Sequence, residues 1–162
     1  MAQAVKELWP EVKLGIGPSI EDGFYYDFDK KEPFSPDDLA TIEQKMQAIV
    51  NERLPFIRTE ISRKDALALF SGLEEKYKID LINELPADTV SLYKTGGRFT
   101  DLCRGPHIES TDKVKNFKLL SIAGAYWHGI ETNPMLQRIY GTCFESKQEL
   151  DDYLKNVEEA KK

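Results

Sequence analysis

Residues 117–144 read FKLLSIAGAYWHGIETNPMLQRIYGTCF, and this stretch decides the fold. Its ends, FKLLSIAGAYW and MLQRIYGTCF, have the β-branched and aromatic content of strands, and His128 to Pro134 between them is a polar turn. Just upstream, TVSLYKTGGRFTDLC reads as a hairpin turning at Gly96-Gly97. YKIDLINEL, with either periodicity open to it, is taken as helix. Before it, Ser62 with Asp65 opens a short helix that runs through Phe70 and is closed by Gly72, and PFIRTEIS alternates as a strand.

Further out, Ser35-Pro36-Asp37-Asp38 is a helix start: a capping serine, proline at the first position and acids facing the dipole. The helix carries Leu39, Ile42, Met46, Ile49 and Val50 at helical spacing and ends by Pro55. Val12, Leu14 and Ile16 alternate as a strand, Gly17-Pro18 and Asp22-Gly23 mark turns, and Phe24 to Phe28 form an aromatic strand. Residues 2–8 read as the last turns of a helix that starts at full amphipathic pattern without a capping residue. At the other end, Ser146 and Glu149 form a capping box, and ELDDYLKNVEEAKK makes a solvated helix. This mixed order predicts an α+β fold, an antiparallel sheet with helices packed on it plus a C-terminal connector helix. The expected division is a domain over 1–145 and a connector over 146–162.

At 162 residues, the chain is long enough to bury a core without staples. Hydrophobic residues at 41% and charged residues at 31% fit a soluble globular domain rather than a disordered one. No apolar run reaches membrane-spanning length and the opening residues do not form a signal peptide, so a cytoplasmic location is expected. Two cysteines, Cys103 and Cys143, make no disulfide framework. A net charge of −6 argues against a free-standing nucleic-acid binder but not against RNA held mainly by other modules.

The densest cluster of reactive side chains is FTDLCRGPH, residues 99–107. Gly105-Pro106 opposes a helix, so the segment reads as a strand end entering a tight turn that can gather Cys103, His107 and Asp101. Three functional readings stay open beside a plain structural one, a buried thiol and a capping histidine. Cys103 and His107 supply at most half of a zinc site. Cys103 activated by His107 would be a nucleophile. Alternatively the cluster orients an ester and its attacking water. Elsewhere, His128 reads as a surface histidine, Cys143 as an inert core thiol, and Lys78 and Tyr93 as half-buried side chains flanking apolar positions.

LGIGPSIEDGFYYDFD, YKIDLI, DLCRGPHIEST, FKLLSIAGAYW and MLQRIYGTCF, in this order and spacing, resemble the editing domain of bacterial threonyl-tRNA synthetases. The resemblance covers the chain from about residue 2 onward. It implies hydrolysis of seryl-tRNA mischarged on threonine tRNA, with threonine tRNA and the rest of the synthetase as partners. It implies no cofactor for editing; zinc at Cys103 and His107 would belong to an alanyl-type trans-editing hydrolase, and a non-catalytic tRNA-docking module is the other alternative. By the same resemblance, His107, Cys103, Asp101 and Lys78 are the expected catalytic residues, and Tyr93, Tyr25, Tyr26 and Arg104 the expected substrate contacts. The family's His-x-x-x-His pair would fall just upstream of residue 1, so weak or absent hydrolysis by these residues alone is expected. At His128 the family pattern has arginine.

Overall fold

A computed structural model describes residues 1–20, 23–102, 110–111 and 114–160. The elements run α1 (Ala2–Leu8), β1 (Lys13–Leu14), β2 (Ser19–Ile20), β3 (Gly23–Asp29), α2 (Pro36–Asn51), β4 (Phe56–Ser62), α3 (Arg63–Gly72), α4 (Lys76–Glu84), β5 (Thr89–Thr95), β6 (Phe99–Leu102), β7 (Phe117–Tyr126), β8 (Met135–Cys143) and α5 (Lys147–Ala160). This is the α+β arrangement the sequence predicts, with every strand pair described antiparallel. The sheet, however, is divided. A five-stranded sheet has the order β1-β3-β8-β7 with β2 also paired to β3, and a separate three-stranded sheet has the order β4-β5-β6.

Local chemistry sets the boundaries. Ser35 accepts from the Asp38 amide at 3.3 Å while the Asp38 carboxylate accepts from the Ser35 amide at 2.8 Å, satisfying two donors at the start of α2. Ser62 caps α3 through the Asp65 amide at 3.1 Å, and Ser146 accepts from the Glu149 amide at 3.1 Å at the start of α5. Gly96 and Gly97 both have positive φ, 57° and 73°, as the tight turn between β5 and β6 requires. The first strand is shorter than the alternation of Val12, Leu14 and Ile16 suggests. Past Leu14 the chain still follows β3, with Gly15 N–H donating to Asp27 O at 2.8 Å and Asp27 N–H to Ile16 O at 2.9 Å, but outside a regular ladder.

Each sheet has its own core. On one face of the larger sheet, Phe28, Tyr26, Leu119 and Ile139 pack against Val5 of α1 and Ile42, Met46 and Ile49 of α2. The smaller sheet buries Val90 and Leu92 against Ala66 and Phe70 of α3 and Ile82 of α4. Polar bonds join the halves. Glu75, almost fully buried, accepts from Lys6 Nζ and from the Leu14 amide, both at 3.2 Å. The Tyr77 hydroxyl donates to Asp29 Oδ2 at 2.5 Å; burial first, then that carboxylate, pushes the phenol pKa up.

Two expectations need correction or detail. Cys143 is exposed rather than in the core: it closes the β7–β8 ladder opposite Phe117, where the sheet ends, and its thiol donates to Lys115 O at 3.0 Å. His128 is exposed as expected, but it is held: its φ is 57°, its ring lies 4.4 Å from the Trp127 ring, and Nε2 is 3.0 Å from Glu84 Oε1. Only Leu150 of α5 is buried among the described residues, so the tail helix is largely solvated. No helix of the described residues is long and apolar enough to cross a membrane.

Candidate functional site

Strand alternation sends Tyr26 and Phe28 inward from β3, and their rings stack with centroids 5.1 Å apart. In the smaller sheet, Tyr93 of β5 stands opposite Asp101 of β6, so both project from the face that does not pack on α3 and α4. From α4, Lys78 reaches the same place. Its Nζ lies 2.7 Å from Asp101 Oδ1 and donates to the Tyr26 hydroxyl at 2.8 Å, and that hydroxyl donates to Asp101 Oδ2 at 2.9 Å. The three groups form a closed ring of charge-assisted bonds. The Leu102 amide adds a fourth, donating to Asp101 Oδ1 at 2.8 Å.

Lys78 is only 2% exposed, so the half-buried side chain read from sequence is in fact fully enclosed. An ammonium ion at that depth is tolerable only with a counter-charge and hydrogen-bond acceptors beside it, both of which the ring supplies. The network borders a cavity of about 530 Å³ lined also by Tyr93, by Met46 and Ile49 of α2, and by Phe56 and Phe99. It is a mostly apolar chamber with a few converging polar groups, the usual character of a small-molecule site.

Of the expected site residues, Lys78, Asp101 and Tyr26 touch one another and Tyr93 shares the cavity. Tyr25 borders the cavity, but its ring is engaged on the other face of β3, 4.0 Å from the Arg138 guanidinium and 5.7 Å from the Tyr140 ring. Arg138 in turn forks onto buried Asp27 at 2.7 and 3.0 Å, a hydrogen-bonded pairing that raises its pKa. Cys103, Arg104 and His107 lie outside the described residues. Among the described residues no three histidine, cysteine or acidic side chains gather as a metal site.

Two members of the wall were not anticipated. Gly17 backs the network so closely that a Cβ there would lie 2.0 Å from Tyr26 Cδ2 and 2.8 Å from Tyr25 O. Gly17→Ala is therefore expected to displace the Tyr26 ring, destabilising the chain by about 1–3 kcal/mol and weakening ligand uptake. A thermal melt and a binding titration check this; unchanged values for both would mean that the wall yields elsewhere. The second is Gln3 on α1, a polar residue among Ala2, Ala4 and Val5, all buried. That break in an apolar run was the available signal.

Residues 90–140 match the family described as the threonyl and alanyl tRNA synthetase second additional domain. All 162 residues align at 56% identity with the threonine–tRNA ligases of Nitratidesulfovibrio vulgaris (strain Miyazaki F) and Lawsonia intracellularis, covering 25% of each. The ligase of Syntrophomonas wolfei is 55% identical over the same 162 residues, 26% of its length. Over its whole length the chain corresponds to a fragment of threonyl-tRNA synthetase. It spans about a quarter of the length of these curated relatives. The matched segment holds Tyr93 and Asp101 of the ring's neighbourhood, whereas Lys78 and Tyr26 precede it.

Proposed function

We propose that the cavity hydrolyses the seryl ester of threonine tRNA, so that the chain is the editing module of a threonyl-tRNA synthetase. The closed Lys78–Tyr26–Asp101 ring at the cavity wall carries this reading. The chemical need comes from the substrates: serine lacks one methyl of threonine, and a binding site gains only about 1–3 kcal/mol from a methyl. A second site that admits serine and sterically refuses the larger side chain supplies the remaining discrimination.

In the reaction, water adds through oxygen to the ester carbonyl carbon and gives up one proton, leaving a tetrahedral oxyanion. Collapse breaks the bond to the terminal ribose oxygen, which takes up that proton and leaves as a hydroxyl, releasing serine. Asp101 suits the seryl ammonium or hydroxyl. Lys78 has three ammonium protons, two of them directed to Asp101 and Tyr26, and the third is available to negative charge developing on the ester. Tyr93 is assigned to substrate contact from its place in the cavity wall and Arg104 from the family resemblance, whereas the Tyr25 ring, turned toward Arg138, is left out of that role. The roles of His107 and Cys103, orienting the terminal ribose and the water, rest on the family resemblance. Residues 1–145 are the editing unit in this reading, residues 146–162 a connector toward the rest of a cytoplasmic synthetase, and editing needs no cofactor.

The test is discrimination. Adenosine carrying serine through a non-hydrolysable 3′-amide should bind the chain at least about tenfold more tightly than its threonyl counterpart. Released serine from seryl-tRNA is expected to accumulate slowly, and Asp101→Asn should abolish the excess over buffer. Equal affinity for the seryl and threonyl probes would overturn the proposal.

A further inference from the structure

Gln3 is 7% exposed, lines the same cavity as Lys78, Tyr26 and Asp101, and its amide nitrogen Nε2 is enclosed without a hydrogen-bond partner. A buried amide donor left without a partner costs the fold more than a hydrogen bond made in its place would contribute. Its neighbours on α1, Ala2, Ala4 and Val5, are buried and apolar, so an apolar side chain of the same length would leave no unmet donor there. Arg63, the other described residue with enclosed unpartnered nitrogens, begins α3 and is not part of this lining. Among the described residues lining the cavity, Gln3 is thus the one with a fully enclosed polar side-chain atom that has no partner.

We infer that Gln3 is a positioning residue for the bound aminoacyl ester, its carboxamide donating to a ligand oxygen that the ligand-free protein does not supply. The inference rests on the editing reading and adds a neutral donor to the charged groups already assigned. A carboxamide suits the task. It holds an acceptor in place at any pH and carries no charge to compete with Lys78 for Asp101. With the ligand seated the donor is satisfied, so the cost borne by the empty protein is returned on binding. A Gln3 that served packing alone would behave in the opposite way, supporting the fold and ignoring the ligand.

Gln3→Met separates the two, because methionine has nearly the same length and helix preference but no donor. Without ligand the variant is expected to melt at or above the temperature of the parent chain. Its affinity for amide-linked seryl-adenosine should fall by about 5- to 100-fold, because the relief of the unmet donor on binding is lost with the carboxamide. In the parent chain the Gln3 side-chain amide resonances, assigned by their disappearance in Gln3→Met, should move downfield as the probe is added. A lower melting temperature with undiminished affinity would overturn the inference alone, as would amide resonances unmoved at saturation. If the parent chain takes up no probe at all, the editing reading fails and this inference with it.

Discussion

Lys78→Met and Asp101→Leu, made singly, are each expected to destabilise the chain by about 3–5 kcal/mol, whereas the double variant should fall close to the parent. Each single change leaves one buried charge facing the other's vacated place. Loss of Asp101 is the worse of the two. It strands an ammonium ion that is 2% exposed with, among the described residues, only the Tyr26 hydroxyl as a hydrogen-bond partner, while the Asp101 carboxylate without Lys78 keeps donors from Tyr26 and the Leu102 amide. Removing both charges together removes the desolvation cost along with the attraction. Urea midpoints for the parent, the two singles and the double complete the cycle. Additive losses would mean that the 2.7 Å pairing contributes no coupling. All three variants should lose binding of the seryl probe, so recovery of stability without recovery of binding is the signature of a functional pair.

Phe28→Ala is expected to cost about 3–5 kcal/mol, and Phe28→Leu less than about 1.5 kcal/mol. The Phe28 ring is fully buried, stacked beneath Tyr26 and edge-on to Phe34 at 5.9 Å. Truncation opens a void against the Tyr26 ring, whose hydroxyl bridges Lys78 and Asp101. The alanine variant should therefore bind the seryl probe more weakly even at temperatures where it is fully folded. Full affinity in a destabilised Phe28→Ala would show that the ring of bonds alone fixes Tyr26.

Much of the architecture was legible in the sequence because its signals are local. The Ser35 and Ser62 caps, the Gly96-Gly97 turn and the periodicity of α2 each depend on neighbours a few residues apart. The split into two sheets was not legible, since nothing local distinguishes β4-β5-β6 pairing among themselves from joining β3 and β8. Cys143 misled for a related reason: an apolar strand carries no mark of where its cover ends. At the site, family resemblance named Lys78, Asp101 and both tyrosines but left Tyr25 and Tyr26 equivalent, and only alternation on β3 separates them. Burial of Lys78 could not be read from a lysine flanked by apolar residues, because snorkelling and full enclosure look the same in one dimension. Gln3 was visible only as a break in an apolar run, whose meaning depends on a cavity wall that distant segments complete.

The Lys78–Tyr26–Asp101 ring draws one atom group from each of three separate pieces, β3 of the larger sheet, β6 of the smaller and helix α4. In the proposed function, the groups that meet the ester are therefore also the rivet between two sub-assemblies. A ligand oxygen that draws on Lys78, or an ammonium that draws on Asp101, tugs on the seam between the sheets in the same act. On that proposal turnover and mechanical cohesion share their atoms, and variation at these positions should yield heat-labile alleles more readily than selectively inactive ones.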